Sequence, residues 1–214
     1  MIGILGNPLF VEGYLTTIAL SAGAMLASLV IGTLVASLRV WGGPIMRSLT
    51  GAYVEFFRNT PLLVQLLFIV VLLAPSNLGV TRDPLVAALF GLSVYTGAYV
   101  TEVVRSGILS VDPRQMEAAR TLGLSQAQAL RHVVLPQAIR TVIPPLGNLS
   151  IALVKNSAIA GGIAVTDLLQ VARILEARTF SFDPFIAALL AYWTITIPLA
   201  WAVSRLERRL VFAR

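Results

Sequence analysis

Ionisable side chains inside apolar runs are the first candidates for chemistry, because a charge at membrane depth is costly and is usually functional. Glu55 and Arg58 stand three residues apart, on one helical face, directly before Asn59-Thr60-Pro61, where the proline loosens a helix. Glu102 and Arg105 repeat that spacing. Lys155 is followed by Asn156 and Ser157, with Pro144-Pro145 before it and Gly161-Gly162 after it. The two acid–base pairs could form an ion-pair network that steadies neighbouring helices, or could line an inner gate and exit path for a polar solute. Lys155 beside a loosened helix could hold a carboxylate, since transporters place substrate sites where broken helices free backbone groups at mid-depth. It could equally snorkel to the interface, or pair with a span acid such as Glu102, or Glu55 of a neighbour. Glu55, Arg58, Asn59, Thr60, Glu102, Lys155, Asn156 and Ser157 are thus the candidate pathway residues.

Enzyme chemistry finds little support. The chain has no cysteine and a single histidine, His132, so neither a thiolate nor a paired-imidazole metal site is expected. No nucleophile–base set and no carboxylates paired at matched depth are evident. No Gly-x-x-x-x-Gly-Lys-Ser/Thr loop occurs, so the chain is not expected to cradle ATP phosphates itself.

The elements that must position these residues are membrane helices. Apolar residues make up 57% of the chain and charged residues 12%, about half the share of a soluble domain. Gly13–Leu38, Asn59–Thr81 and Pro184–Ser204 carry no charge at all, and each is long enough for a ~30 Å hydrocarbon core. With Pro84–Thr101 and Thr141–Thr166, interrupted only by Lys155, five spans are expected, at about 13–38, 52–74, 84–106, 138–164 and 184–205. The first lacks a basic flank and is too long for a cleaved leader, so it reads as a span. The whole chain, 1–214, reads as one all-α membrane domain.

The charge of +6 is explained by topology. With the N-terminus outside, eleven arginines fall in inner segments and three in outer ones. The positive-inside rule therefore places the N-terminus outside and the C-terminus in the cytoplasm, with some contact to anionic membrane lipid. The basic residues are scattered over three inner segments rather than gathered into a groove-facing patch, which argues against nucleic acid. Counted from Asp83 and Arg140, Glu102 lies roughly 28 Å down the third span and Lys155 roughly 22 Å along the fourth.

The loop over 107–137 has the signals of two helices. Asp112 is an N-cap, Pro113 suits the first helical position and Gln115 completes a capping-box pattern. Gly123 fits a left-handed helix end, Ser125 with Gln128 opens a second helix, and Pro136 ends or kinks it. The short polar-faced helix could lie on the inner leaflet or dock a cytoplasmic partner. Its short apolar face and high alanine content disfavour lipid. Two small-residue stripes, Ser28-Gly32-Ala36 and Ser93-Gly97-Thr101, could serve packing within the chain or against a second subunit.

Glu117-Ala118-Ala119, then Gly123, then Val133-x-Leu135-Pro136 resembles the EAA motif of ABC-importer permease subunits, with Val133 replacing isoleucine as the one departure. "YVEFFRNTPLLVQ" (53–65), "GAYVTEVVRSGI" (97–108) and "PLGN" (145–148) are similar to signatures of the polar amino-acid uptake group. The resemblance covers essentially the whole chain. It implies a type I importer permease fold of five spans, in a bacterial cytoplasmic membrane. It also implies that Met116, Glu117, Ala118, Ala119, Arg120 and Gly123 form a coupling helix that docks on an ATP-binding-cassette subunit. This chain would be non-catalytic, with ATP and Mg bound by that partner. The other implied partners are a second permease subunit, identical or homologous, and an extracytoplasmic amino-acid-binding protein. Asn156, where some members carry an acid, disfavours cationic substrates on charge and leaves glutamate, glutamine or aspartate favoured over arginine, lysine or histidine. A stand-alone secondary transporter is the remaining alternative. It would need a self-sufficient pathway, and it leaves the EAA loop unexplained.

Overall fold

A computed structural model describes residues 2–211. Every regular element among the described residues is a helix, in the order α1 (Ile2–Leu5), α2 (Pro8–Trp41), α3 (Pro44–Asn59), α4 (Leu62–Leu73), α5 (Pro84–Leu109), α6 (Pro113–Thr121), α7 (Gln126–Ala129), a π segment (Leu130–Val134), α8 (Leu135–Asn156), a 3-10 segment (Ser157–Ile163), α9 (Leu168–Thr179) and α10 (Asp183–Val211). Helices α2, α5 and α10 are each long and apolar enough to cross a membrane. Two bent pairs, α3 with α4 and the α7–α8 stretch with α9, bring that number to five when each pair is counted as one span. The element starts follow from local chemistry. Asn7 and Asp83 cap α2 and α5 through their side chains, each with proline in the first helical turn.

The centre of the fold is the α2–α5 contact. The Ser28 hydroxyl donates to Ser93 O at 3.0 Å, and a Cβ on Gly32 would overlap Val100 and reach within 2.9 Å of Gly97 O. The two small-residue stripes thus face each other inside one chain. Backbones approach this closely only where side chains are small. Around this contact, Leu20, Leu62, Leu66, Leu92, Leu153 and Ile163 form the main core. A second core joins Phe10 of α2, Leu168, Val171 and Leu175 of α9, and Ala187, Ala188 and Ala191 of α10.

Two expected spans are not single helices. The stretch expected over 52–74 breaks between Asn59 and Leu62, and α3 and α4 meet at 114°. Pro61 holds Thr60 extended (φ −115°, ψ 146°), which the helical region would not allow before a proline. Gln65 covers the freed acceptors, its Nε2 donating to Phe57 O at 2.9 Å and to both Thr60 O and Thr60 Oγ1. Helix α3 therefore lies across α5, with Tyr53 donating to Val94 O at 2.6 Å, while α4 packs beside Ala87, Ala88 and Leu92. The fourth span departs in the opposite sense. Pro144 and Pro145, expected to loosen it, lie inside a continuous α8. Close packing holds α8 at both sides, since Gly107 of α5 abuts Val142 and Val203 of α10 abuts Gly147. The break comes later, in the 3-10 segment holding Gly161 and Gly162, where Ala164 turns left-handed at φ 67°. Helix α9 follows at 53°, an element with no counterpart among the expected spans.

Candidate functional site

The loop helix forms as its sequence dictates. The Asp112 carboxylate accepts from Arg114 N at 2.9 Å and Pro113 opens α6. The Asp112 side chain does not take the third backbone N–H, because Gln115 N goes to Asp112 O instead, so the capping box expected there is absent. At the other end, Leu124 N donates to Ala119 O at 3.2 Å and Gly123 N to Arg120 O at 3.0 Å, a Schellman closure with Gly123 at φ +88°. The second capping box does form, with Ser125 N donating to Gln128 Oε1 and Gln128 N to Ser125 Oγ. Ala119 is the buried residue of α6 and Met116 is half-buried, whereas Glu117, Ala118 and Arg120 face outward. Helix α6 packs on the π segment, and through it on the start of α8. Pro136 sits in the first turn of α8, directly after the π segment in which the regular helical ladder of the second loop helix gives way. His132 places Nδ1 at 2.9 Å from Gln128 O on the exposed face of the π segment.

The span charges sort differently from the expected pairing. Glu102 is the acid of a three-residue cluster, bonded to Arg39 of α2 and to Arg105 one turn on at 3.0 Å. Glu55 and Arg58 stay outside that cluster. Glu55 is exposed, and Arg58 lies over the Tyr99 ring at 5.3 Å. An arginine needs no carboxylate when an aromatic face can meet it. Asn59 is exposed at the end of α3, and Thr60 spans the break, its hydroxyl bonded back to Phe56 O at 2.7 Å. Arg39 was not among the expected partners of Glu102. It is the first charge after the run 13–38, at the depth where Glu102 falls on the neighbouring span, and that coincidence was readable.

Lys155, Asn156 and Ser157 meet at the junction of α8 and the 3-10 segment. Ser157 is buried and donates to Val154 O at 2.8 Å. Asn156 is half-buried, and Lys155 is exposed with no carboxylate partner among the described residues. Ten residues on lies Asp167, fully buried and missed by the sequence reading. Its Oδ1 accepts from Gln170 N at 3.0 Å and its Oδ2 from Leu169 N at 3.3 Å, capping α9. Tyr192 of α10 donates to the same carboxylate, and Thr17 Oγ1 of α2 accepts from Leu168 N at 3.0 Å. Asp167 with Gln170 three residues later is itself a capping-box pattern, so the signal was present.

A bundle of broken spans with a basic residue at one break is the kind of place where transporters hold polar solutes, and a capped, polar-faced helix lies in the loop before it. Residues 28–212 match the family described as binding-protein-dependent transport system inner membrane component, and the chain belongs to that family. It is 42% identical over 203 residues to the probable glutamine ABC transporter permease protein GlnM of Bacillus subtilis (strain 168), covering 94% of this chain and 93% of the relative. It is 34% identical over 204 residues to the glutamine transport system permease protein GlnP of Escherichia coli (strain K12), covering 95% and 93%. Among solved structures, an amino acid ABC transporter crystallised with histidines superposes at a TM-score of 0.86 with 36% identity, over 94% of both chains. The MetNI methionine ABC transporter in an inward-facing form shares the fold at a TM-score of 0.79 and 22% identity. The chain is thus a non-catalytic permease subunit of an ATP-binding-cassette importer of type I fold. In this family a separate ATPase subunit hydrolyses ATP and a binding protein delivers the solute.

Proposed function

We propose that this chain imports glutamine, or a closely related acidic or amide amino acid, with its N-terminus outside and its C-terminus in the cytoplasm. The observation that carries the coupling role is the geometry of α6. It is closed at both ends by its own caps, presents Glu117, Ala118 and Arg120 outward, and connects through a π segment to α8, whose far end bears Lys155 and Asn156. Pushing on α6 is therefore pushing on the helix that leads to the broken span. A partner ATPase, binding ATP and Mg, would seat on Met116–Arg120 and Gly123. A second permease subunit, identical or homologous, would complete the pathway, and an extracytoplasmic amino-acid-binding protein would feed it.

Similarity to permeases named for glutamine supports the amide substrate, and Asn156 leaves Lys155 without a neighbouring acid that would attract a cation. A basic amino acid such as histidine is the second reading, favoured by the solved relative crystallised with histidines. The test is purification from the native membrane in mild detergent, with ATPase activity measured against each candidate amino acid and binding protein. Stimulation by glutamine supports the first reading and stimulation by histidine or arginine the second. A chain that purifies alone, and transports alone in liposomes, overturns both. Orientation is read separately. The chain has no cysteine, so Ser48→Cys labelled by an impermeant maleimide only in inverted vesicles supports an inner Ser48. Labelling from outside on intact cells overturns it.

A further inference from the structure

The end of the α2–α5 contact that carries Glu102 opens into a cleft of about 430 Å³ lined by Arg39, Val40, Arg47, Arg105 and Leu109. Three guanidiniums face one carboxylate there. Glu102 serves Arg39 and Arg105, and Arg47 has no carboxylate partner among the described residues, only Val40 O at 3.3 Å. A permanent surplus of positive charge in a cleft calls for an anion. Arginine forks match phosphate oxygens in pairs, which makes phosphate the suited group.

The surroundings identify which phosphate. Arg39 is the first charge after the apolar run 13–38, so the cleft lies at headgroup depth and not in bulk solvent. Apolar residues border it. Leu109 lines the cleft and is 59% exposed, and Trp41 (54%) and Ile45 (73%), neighbours in sequence of its lining residues Val40 and Arg47, are exposed as well. An exposed tryptophan at a span end is an interfacial anchor, with its ring among lipid glycerols. Free inorganic phosphate would use the guanidiniums and ignore this rim. A phospholipid uses both, with its phosphodiester in the cleft and its acyl chains along Ile45 and Leu109. We infer that the Arg39–Arg47–Arg105 cleft is a binding site for one anionic phospholipid headgroup. The inference rests on the proposed orientation only for which leaflet supplies the lipid.

The experiment is native mass spectrometry of the full chain, titrated with dioleoyl phosphatidylglycerol or dioleoyl phosphatidylcholine. Wild type should retain one phosphatidylglycerol in preference to phosphatidylcholine. Arg47→Gln should weaken that retention about fivefold, the weight of one basic residue at an anionic surface. Arg47→Lys should restore most of it. Arg47 is exposed, so its replacement leaves the packing intact. Arg131→Gln, an exposed arginine elsewhere, should change nothing. Unchanged retention in Arg47→Gln, or equal loss in Arg131→Gln, overturns the site. Full displacement by millimolar inorganic phosphate overturns the lipid as occupant. Retention is read in detergent without regard to sidedness, so an outer Ser48 would overturn the orientation and leave this result standing.

Discussion

The Tyr192 hydroxyl of α10 donates to Asp167 Oδ2 at 3.2 Å, tying the last span to the break in the fourth. Asp167 also takes the first free N–H groups of α9, and Thr17 of α2 takes Leu168 N. Two helices therefore meet on one buried carboxylate, and a third takes the backbone N–H beside it, within a few residues of the 3-10 segment. Asp167→Ala removes the cap and leaves Tyr192 and the α9 N–H groups without their acceptor. A lost cap costs about 0.5–2 kcal/mol and a buried orphan donor about 1–3 kcal/mol. Thermal unfolding in detergent should fall by several degrees. Tyr192→Phe should cost less, about 1 kcal/mol, because the α9 cap survives. Equal loss in the two variants would mean that the cap contributes nothing.

Gln65 performs the corresponding service at the other break. Its amide donates to Phe57 O, Thr60 O and Thr60 Oγ1 from a buried position. Irregular backbone at membrane depth persists only where such partners exist. Gln65→Leu keeps the volume and removes every donor. The expected result is a loss of about 1–3 kcal/mol by chemical or thermal denaturation. Gln65→Glu, which also lacks the N–H donors, should be at least as damaging at neutral pH. A neutral outcome for both would show that the α3–α4 corner is held by Pro61 alone.

Much of the molecule is legible in the residues, and the reasons are local. Asp112-Pro113, Gly123 and Ser125-x-x-Gln128 placed the loop helices because capping is a contact between near neighbours. The apolar runs located the spans because the bilayer demands length. What was hidden depends on partners distant in sequence. Pro144-Pro145 read as a loosening, yet α5 and α10 clamp α8 through Gly107 and Gly147. Thr60-Pro61 read as a loosening, and it makes a 114° corner that sets α3 against α5, with Tyr53 bonded to Val94 O 41 residues away. Glu55 with Arg58 and Glu102 with Arg105 read as two pairs that could join in one inter-span network or line an exit path. The cluster is decided by Arg39, 63 residues from Glu102.

The Gly32–Val100 contact predicts how tightly α2 and α5 are fitted. A methyl at Gly32 would overlap Val100 and crowd Gly97 O, whereas a Cβ at Gly43 meets nothing within 4 Å. Gly32→Ala should therefore destabilise by about 1–3 kcal/mol through overpacking, and Gly43→Ala should be nearly silent. Gly32→Ala paired with Val100→Ala should recover part of the loss, because the clash is with that side chain. Unfolding midpoints of five proteins, wild type and Val100→Ala alone included, decide it. Additive losses would place the strain in the Gly97 backbone instead.

Gly123 separates the conformational from the steric demands of the coupling loop. Its φ of +88° is unfavourable for any residue with a Cβ, yet a Cβ there would meet open space. Gly123→Asn should keep most coupled transport, since asparagine tolerates the left-handed region. Gly123→Ala should lose part of it. Gly123→Pro, locked near −65°, cannot close α6 and should abolish it. Glu117→Lys tests the exposed face of the same helix. It leaves both caps intact, so the chain should fold and melt normally while substrate-stimulated ATPase activity of the purified importer falls at least tenfold. Full stimulation in both Gly123→Pro and Glu117→Lys would mean that α6 is not where the ATPase couples to the spans.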